Sequence, residues 1–98
     1  VSIAVIHKYA VSVDGGLEVP WPCATTVTHV QVLDNPAVVH MWVVQPQVPP
    51  YAVAYRRWFK VVGTGHPFPD DAEVVGSTVH APTGLEWHVV AYPPVPVR

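Results

Sequence analysis

Alternation with a period of two is the feature that most narrows what this chain can fold into. From Ile3 to Val13, the residues Ile3, Val5, His7, Tyr9, Val11 and Val13 share one face, and Ala4, Ile6, Lys8, Ala10 and Ser12 share the other. That is the repeat of an extended strand, whose successive side chains point to opposite sides. Strand-like, β-branched runs return over Thr25 to Leu33, Val38 to Val44, Tyr51 to Val62, Gly76 to His80 and Leu85 to Tyr92. No segment of useful length carries apolar residues at the 3.6-residue spacing of an amphipathic helix. The expected fold is therefore all-β, a small antiparallel β-sandwich or partly closed barrel of about six or seven strands. At most one short helical turn is expected, at Pro69 to Glu73, where a proline and acidic residues are cut off by Val74-Val75-Gly76.

Turn residues divide the strands. Asp14-Gly15-Gly16 is a strong turn signal, so Leu17 to Val19 is expected to return as a hairpin partner before Pro20 and Pro22 stop the ladder. Trp21, between those prolines, is either a lid over the end of the sheet or an exposed aromatic anchor. Asp34-Asn35-Pro36 joins its two flanking strands as a hairpin. Between Gln45 and Pro50, three prolines in six residues predict an extended connector without regular pairing. Pro82-Thr83-Gly84 joins the last two strands, and Tyr92-Pro93-Pro94-Val95-Pro96 leaves the fold in a polyproline-like conformation. A chain of 98 residues closes one core, so residues 1–92 are assigned to a single β domain and 93–98 to an extended Pro-rich tail.

Half the residues are apolar and only 12% are charged, so a monomer has little charge with which to cover its surface. A homo-oligomer follows as an expectation, most simply a two-fold dimer through a sheet face or edge carrying Trp42 or Trp58. The net charge of -2 argues against duplex nucleic acid as the partner. The single Cys23 excludes an internal disulfide and fits a reducing compartment. No apolar run approaches the length of a membrane span, and the first residues lack the pattern of a signal peptide, so neither membrane insertion nor secretion is expected.

The most specialised stretch is Arg56-Arg57-Trp58-Phe59-Lys60-Val61-Val62-Gly63-Thr64-Gly65-His66-Pro67, a strand feeding a glycine-rich loop. Gly63, Thr64 and Gly65 can present backbone N–H groups to an anion, with His66, Arg57 and Lys60 adding donors and charge. Equally, the glycines can serve a bulge or left-handed turn against which His66 packs. The run lacks the third glycine of a dinucleotide fingerprint and the Lys-Ser/Thr end of a phosphate loop. Trp58, between Arg56 and Lys60 on one face, is either shielded by their stems or a contact surface. Six histidines show no metal-ligand spacing, and Cys23 has no identifiable base, so no metal, cofactor or catalytic residue is assigned.

Three pieces together carry a resemblance: His7-Lys8-Tyr9, the element from Arg57 to Pro67 with its Gly-Thr-Gly-His-Pro run, and Glu86-Trp87-His88-Val89. The chain resembles a group of short proteins of tailed bacteriophages and prophages that have no assigned activity. The resemblance implies a phage accessory protein acting in the host cytoplasm. Together with the residues, it leads to a non-catalytic binding protein engaging a host or phage protein, with Arg57, Trp58, Lys60, Gly63, Thr64, Gly65 and His66 as its candidate contacts. The alternative is binding, sequestering or processing of a small anionic ligand, a nucleotide or phosphate, at the Gly63–Pro67 loop. The fold expectation has a direct check: far-ultraviolet circular dichroism should be dominated by β structure, and a helical spectrum would contradict it.

Overall fold

The computed structural model describes residues 3–97. In chain order the strands are β1 (Ala4–Ser12), β2 (Leu17–Pro20), β3 (Thr26–Val32), β4 (Val38–Pro46), β5 (Tyr55–Gly63), β6 (Glu73–His80), β7 (Leu85–Ala91) and β8 (Val95–Pro96). A single 3-10 turn, Pro50–Ala52, precedes β5. The strands form two antiparallel sheets, one ordered β1-β4-β3, the other β2-β5-β7-β6 with β8 also on β5. The all-β expectation holds, and the form is a sandwich, not a closed barrel. No helix among the described residues is long and apolar enough to cross a membrane.

The core follows from the period-two pattern. Val11 of β1, Val39, Met41 and Val43 of β4 and Val30 of β3 project from the first sheet onto Val19, Phe59, Val61, Val89 and Ala91 of the second. Phe59 and Met41 are the largest fully buried side chains. Trp21 closes one margin of this core, its ring tilted on Phe59 at a centroid separation of 5.4 Å. That is the lid arrangement, with Trp21 half-buried.

The sheets approach most closely where β3 meets β6. A Cβ on Gly76 would overlap the methyl groups of Val30, so only glycine lets the two backbones lie this near. Next to that contact the Val32 N–H donates to Thr78 Oγ1 across the sheets at 3.2 Å. Both strands carry a register shift here, between Val27 and His29 in β3 and between Val74 and Gly76 in β6.

The hairpin expected around Asp34-Asn35-Pro36 forms as β3 and β4. Other expectations are corrected. Leu17–Pro20 does not pair with β1; after a lone bridge between Ser12 and Gly16 the chain crosses to the second sheet and pairs with β5. Gly16 permits the crossing: its φ is 72°, and a Cβ there would strike the Trp58 ring and the Phe59 carbonyl. The connector begins later than its prolines suggest, because Gln45 and Pro46 still pair with Val5 and Ala4. Pro46 is tolerated because its nitrogen points away from β1, beyond the end of β3 at Thr26. Tyr51 to Ala54 precedes β5 and does not belong to it, whereas β6 starts at Glu73, earlier than Gly76. Pro69 to Ala72 makes only a turn closed by the Ala72 N–H on the Pro69 carbonyl.

The C-terminal segment does not leave the fold. Val95 and Pro96 pair with Arg56 and Tyr55, and the Val97 N–H donates to the Ala54 carbonyl at 2.9 Å. Because Arg56 is paired with Pro20 on one side, β8 occupies the β7 side of β5, continuing β7 beyond Pro93 and Pro94. Arg98 of the assigned tail lies outside the described residues.

The close approach generates a prediction. Gly76→Ala should cost about 1–3 kcal/mol by overpacking, read as a lower urea midpoint. Combined with Val30→Ala, which makes room, the two losses should sum to more than the double variant shows. Strict additivity would mean that the sheets are not in contact there.

Candidate functional site

Strand β5 separates the proposed contacts onto two faces. Arg57 lies on the side of Phe59 and Val61, toward the first sheet, where its Nε donates to the Tyr92 carbonyl at 2.6 Å. Its guanidinium carbon sits 5.1 Å from the centroid of the Trp21 ring, a cation-π contact. Arg57 is thus spent on holding the lid and the start of the C-terminal segment. Trp58 and Lys60 lie on the other face. The Trp58 indole packs over Gly16, and Arg56 turns to Glu18 on β2, with Nη1 3.0 Å from Oε1.

The Gly63–Pro67 loop is also divided. β5 and β6 both lie antiparallel to β7 and flank it, so residues 64–72 must cross β7 to return to the other end of the sheet. The turn closes by the His66 N–H donating to the Gly63 carbonyl at 3.1 Å, with Gly65 at φ 88°. The His66 ring lies where a Gly63 side chain would be, beside Trp87, on the core-facing side. Thr64 points the opposite way. Its hydroxyl is 2.8 Å from His88 Nε2 and donates to Glu86 Oε2 at 3.4 Å, and His88 Nδ1 lies 2.7 Å from Ser77 Oγ.

Thr64 and Ser77 meet Glu86 and His88 only in the folded chain, a cluster not singled out from the sequence. The signal was the register that sets His88 between Val62 of β5 and Ser77 of β6. Both imidazole nitrogens are engaged, which fixes the ring between β6 and the loop after β5. The Glu86 carboxylate stands at the position where an anion would meet Thr64. Lys60 is about 13 Å back along the strand at about 3.3 Å per residue. The structure therefore keeps Gly63, Thr64, Gly65 and His66 in one turn but sends the Thr64 and His66 side chains to opposite sides, with neither Arg57 nor Lys60 among them.

An apolar concave feature lies elsewhere, at the end of the sandwich beneath β1. An open groove of about 430 Å³ is bounded by Val5, His7 and Tyr9 of β1, by Pro20 and Pro22, and by Val48, Pro50 and Val53 of the connector. Gln45, Pro46 and Gln47 at the end of β4, with Arg56 and Val97, complete the lining. The Tyr9 hydroxyl donates to Gln45 Oε1 at 2.8 Å, and Gln45 Nε2 donates to the Pro20 carbonyl at 2.7 Å. This chain of bonds ties the first sheet to the second and satisfies the polar groups of buried Gln45. Burial pushes the Tyr9 phenol above its ordinary value. Among the described residues, no three His, Cys, Asp or Glu side chains converge as a metal site.

Fold and groove together define a small antiparallel β-sandwich with an apolar cleft at one end. The chain belongs to the family described as Domain of unknown function (DUF7352), whose model matches residues 3–97. Comparison with curated proteins and with solved structures gave no match.

The raised Tyr9 pKa has a sign. In the folded chain Tyr9 keeps its proton above the pH at which the unfolded phenol ionises. Its contribution to stability is complete below that pH and is lost as pH rises through the folded value. Tyr9→Phe should therefore lose about 1 kcal/mol at neutral pH, from the missing hydrogen bond, yet decline less steeply above pH ~10. Parallel stability curves for the two proteins would count against this assignment.

Proposed function

We propose that this chain is a non-catalytic interaction protein that holds an extended apolar segment of another polypeptide in the groove beneath β1. The observation that carries the reading is the groove itself, open along its length and lined mainly by valine and proline. Its polar groups are largely taken: Tyr9, Gln45 and the Pro20 carbonyl bond one another, and Arg56 is paired with Glu18. What is left to offer is mainly apolar surface, with His7 and Gln47 beside it, which favours a neutral, extended ligand over a charged one. The resemblance to short proteins of tailed phages makes a host or phage protein the partner and the host cytoplasm the place of action. A homodimer is the assembly in which this reading sets the chain.

The anionic-ligand reading of Gly63–Pro67 has less support. Glu86 adjoins Thr64, and Arg57 is engaged on the other face. The probe that separates the two readings is a linear peptide selected by display against the folded chain, with inorganic phosphate as its counterpart. Titrating the peptide should move the amide resonances of Val5, His7, Tyr9 and Val48, whereas phosphate should leave Gly63 to His66 unmoved. Val48→Asp, at an exposed rim position, should weaken the peptide at least about tenfold, or about 1.4 kcal/mol, without lowering Tm. Selected peptides that shift Gly63 to His66 instead, or that bind Val48→Asp equally well, would overturn the groove reading.

A further inference from the structure

Strand edges are where a sandwich is open to another chain, because their outer N–H and C=O groups have no partner. Three of the four edges here are blunted. β3 and β6 each carry a register shift, and they pack on one another through Gly76 and Val30. β2 has four residues and ends in proline. β1 differs from all three: it has nine residues, pairs with β4 without a register shift, and contains no proline and a single charge, Lys8.

The hydrogen bonds fix which groups on β1 are free. The Gln47 N–H donates to the Ile3 carbonyl and the Val13 N–H to the Ala37 carbonyl, so the odd-numbered residues are those bonded to β4. The even-numbered ones aim their backbone outward. Ser12 agrees with this, since its carbonyl accepts the Gly16 N–H at 3.1 Å from the β1–β2 turn, which also closes the edge at that point. The open part is then Ala4, Ile6, Lys8 and Ala10, a set centred on His7.

We propose that this edge pairs with the same edge of a second copy, antiparallel about a two-fold axis through His7, to give a continuous six-stranded sheet. Ala4 then opposes Ala10 of the second copy and Ile6 opposes Lys8, with about eight backbone hydrogen bonds across the junction. The register with Lys8 on the axis sets like charges directly opposite and needs Ser12, which Gly16 already occupies. The two-fold keeps both core-facing sides on the same side of the joined sheet. Val5, His7 and Tyr9, which line the groove, therefore meet their counterparts, and the two grooves become one channel to which both copies contribute. The pairing is independent of what the groove binds; only the shared channel rests on the reading given above.

Sedimentation of the full chain at tens of micromolar tests it, with an expected mass of about twice 10.7 kDa. Ile6→Lys places cations opposite one another on both sides of the axis, and Ile6 is 66% exposed, so the variant should give a folded monomer. Adding Lys8→Glu to Ile6→Lys should restore the dimer, because each new cation then faces a carboxylate. A monomeric wild-type chain overturns the proposal. So does a dimer indifferent to Ile6→Lys, which would place the interface elsewhere, and so does a monomeric Ile6→Lys that the added Lys8→Glu fails to rescue. Peptide capture by the monomeric variant separates the two ideas, since the pairing can be lost while the groove still binds.

Discussion

The close contact between Gly76 and Val30 is the constraint on which the arrangement of the two sheets depends. Two packed sheets ordinarily keep about 10 Å between them, filled by side chains from both. At the β3–β6 side that filling is reduced to one valine resting on bare backbone, and a hydrogen bond from Val32 to Thr78 crosses beside it. The register shifts in both strands bend the edges toward each other. The sandwich is thus pinned at this contact, and a groove runs at the opposite margin, beneath β1.

The open end is held by polar lacing. Gln45 is buried in the first sheet and bonds both Tyr9 beside it and the Pro20 carbonyl of the second sheet. Arg57 does the corresponding work near Trp21, where a side-chain cation covers an aromatic ring and bonds the Tyr92 carbonyl. Each bond is modest, but a buried amide or carbonyl left unpaired there would cost more than the bond supplies, so these contacts specify the geometry of the open end.

The strand content and the β3–β4 hairpin were legible in the sequence, because alternation and turn chemistry are local. What was not legible depends on contacts between distant residues. Asp14-Gly15-Gly16 looks the same whether it closes a hairpin or carries the chain to the other sheet, and Trp58 pressing on Gly16 is what marks the crossing. The prolines after Tyr92 suggest departure, yet Val95 and Pro96 find the exposed edge of β5. Alternation alone placed Arg57 opposite Trp58 and Lys60. The division of the loop, with His66 inward and Thr64 outward, required the return of residues 64–72 across β7. The groove was least visible, since β1, Pro20 and Pro22, the connector and Val97 meet there from four parts of the chain.

The position of β5 also sets an order of assembly. The first sheet draws all three strands from the stretch ending at Pro46, β3 pairing with β4 across a short turn and β1 reaching β4 over residues 13–37. The second gathers β2 from the beginning of that stretch and β7 and β8 from the last part of the chain around a strand in the middle. Contacts so distant in sequence carry a large loop-closure cost before they stabilise anything. As the chain emerges from a ribosome, the first sheet is complete while its apolar face still lacks most of its cover, and Phe59 remains without its long partner strand until Ala91 arrives. The interval between those events is the period in which this small protein is most exposed to mispairing with its neighbours.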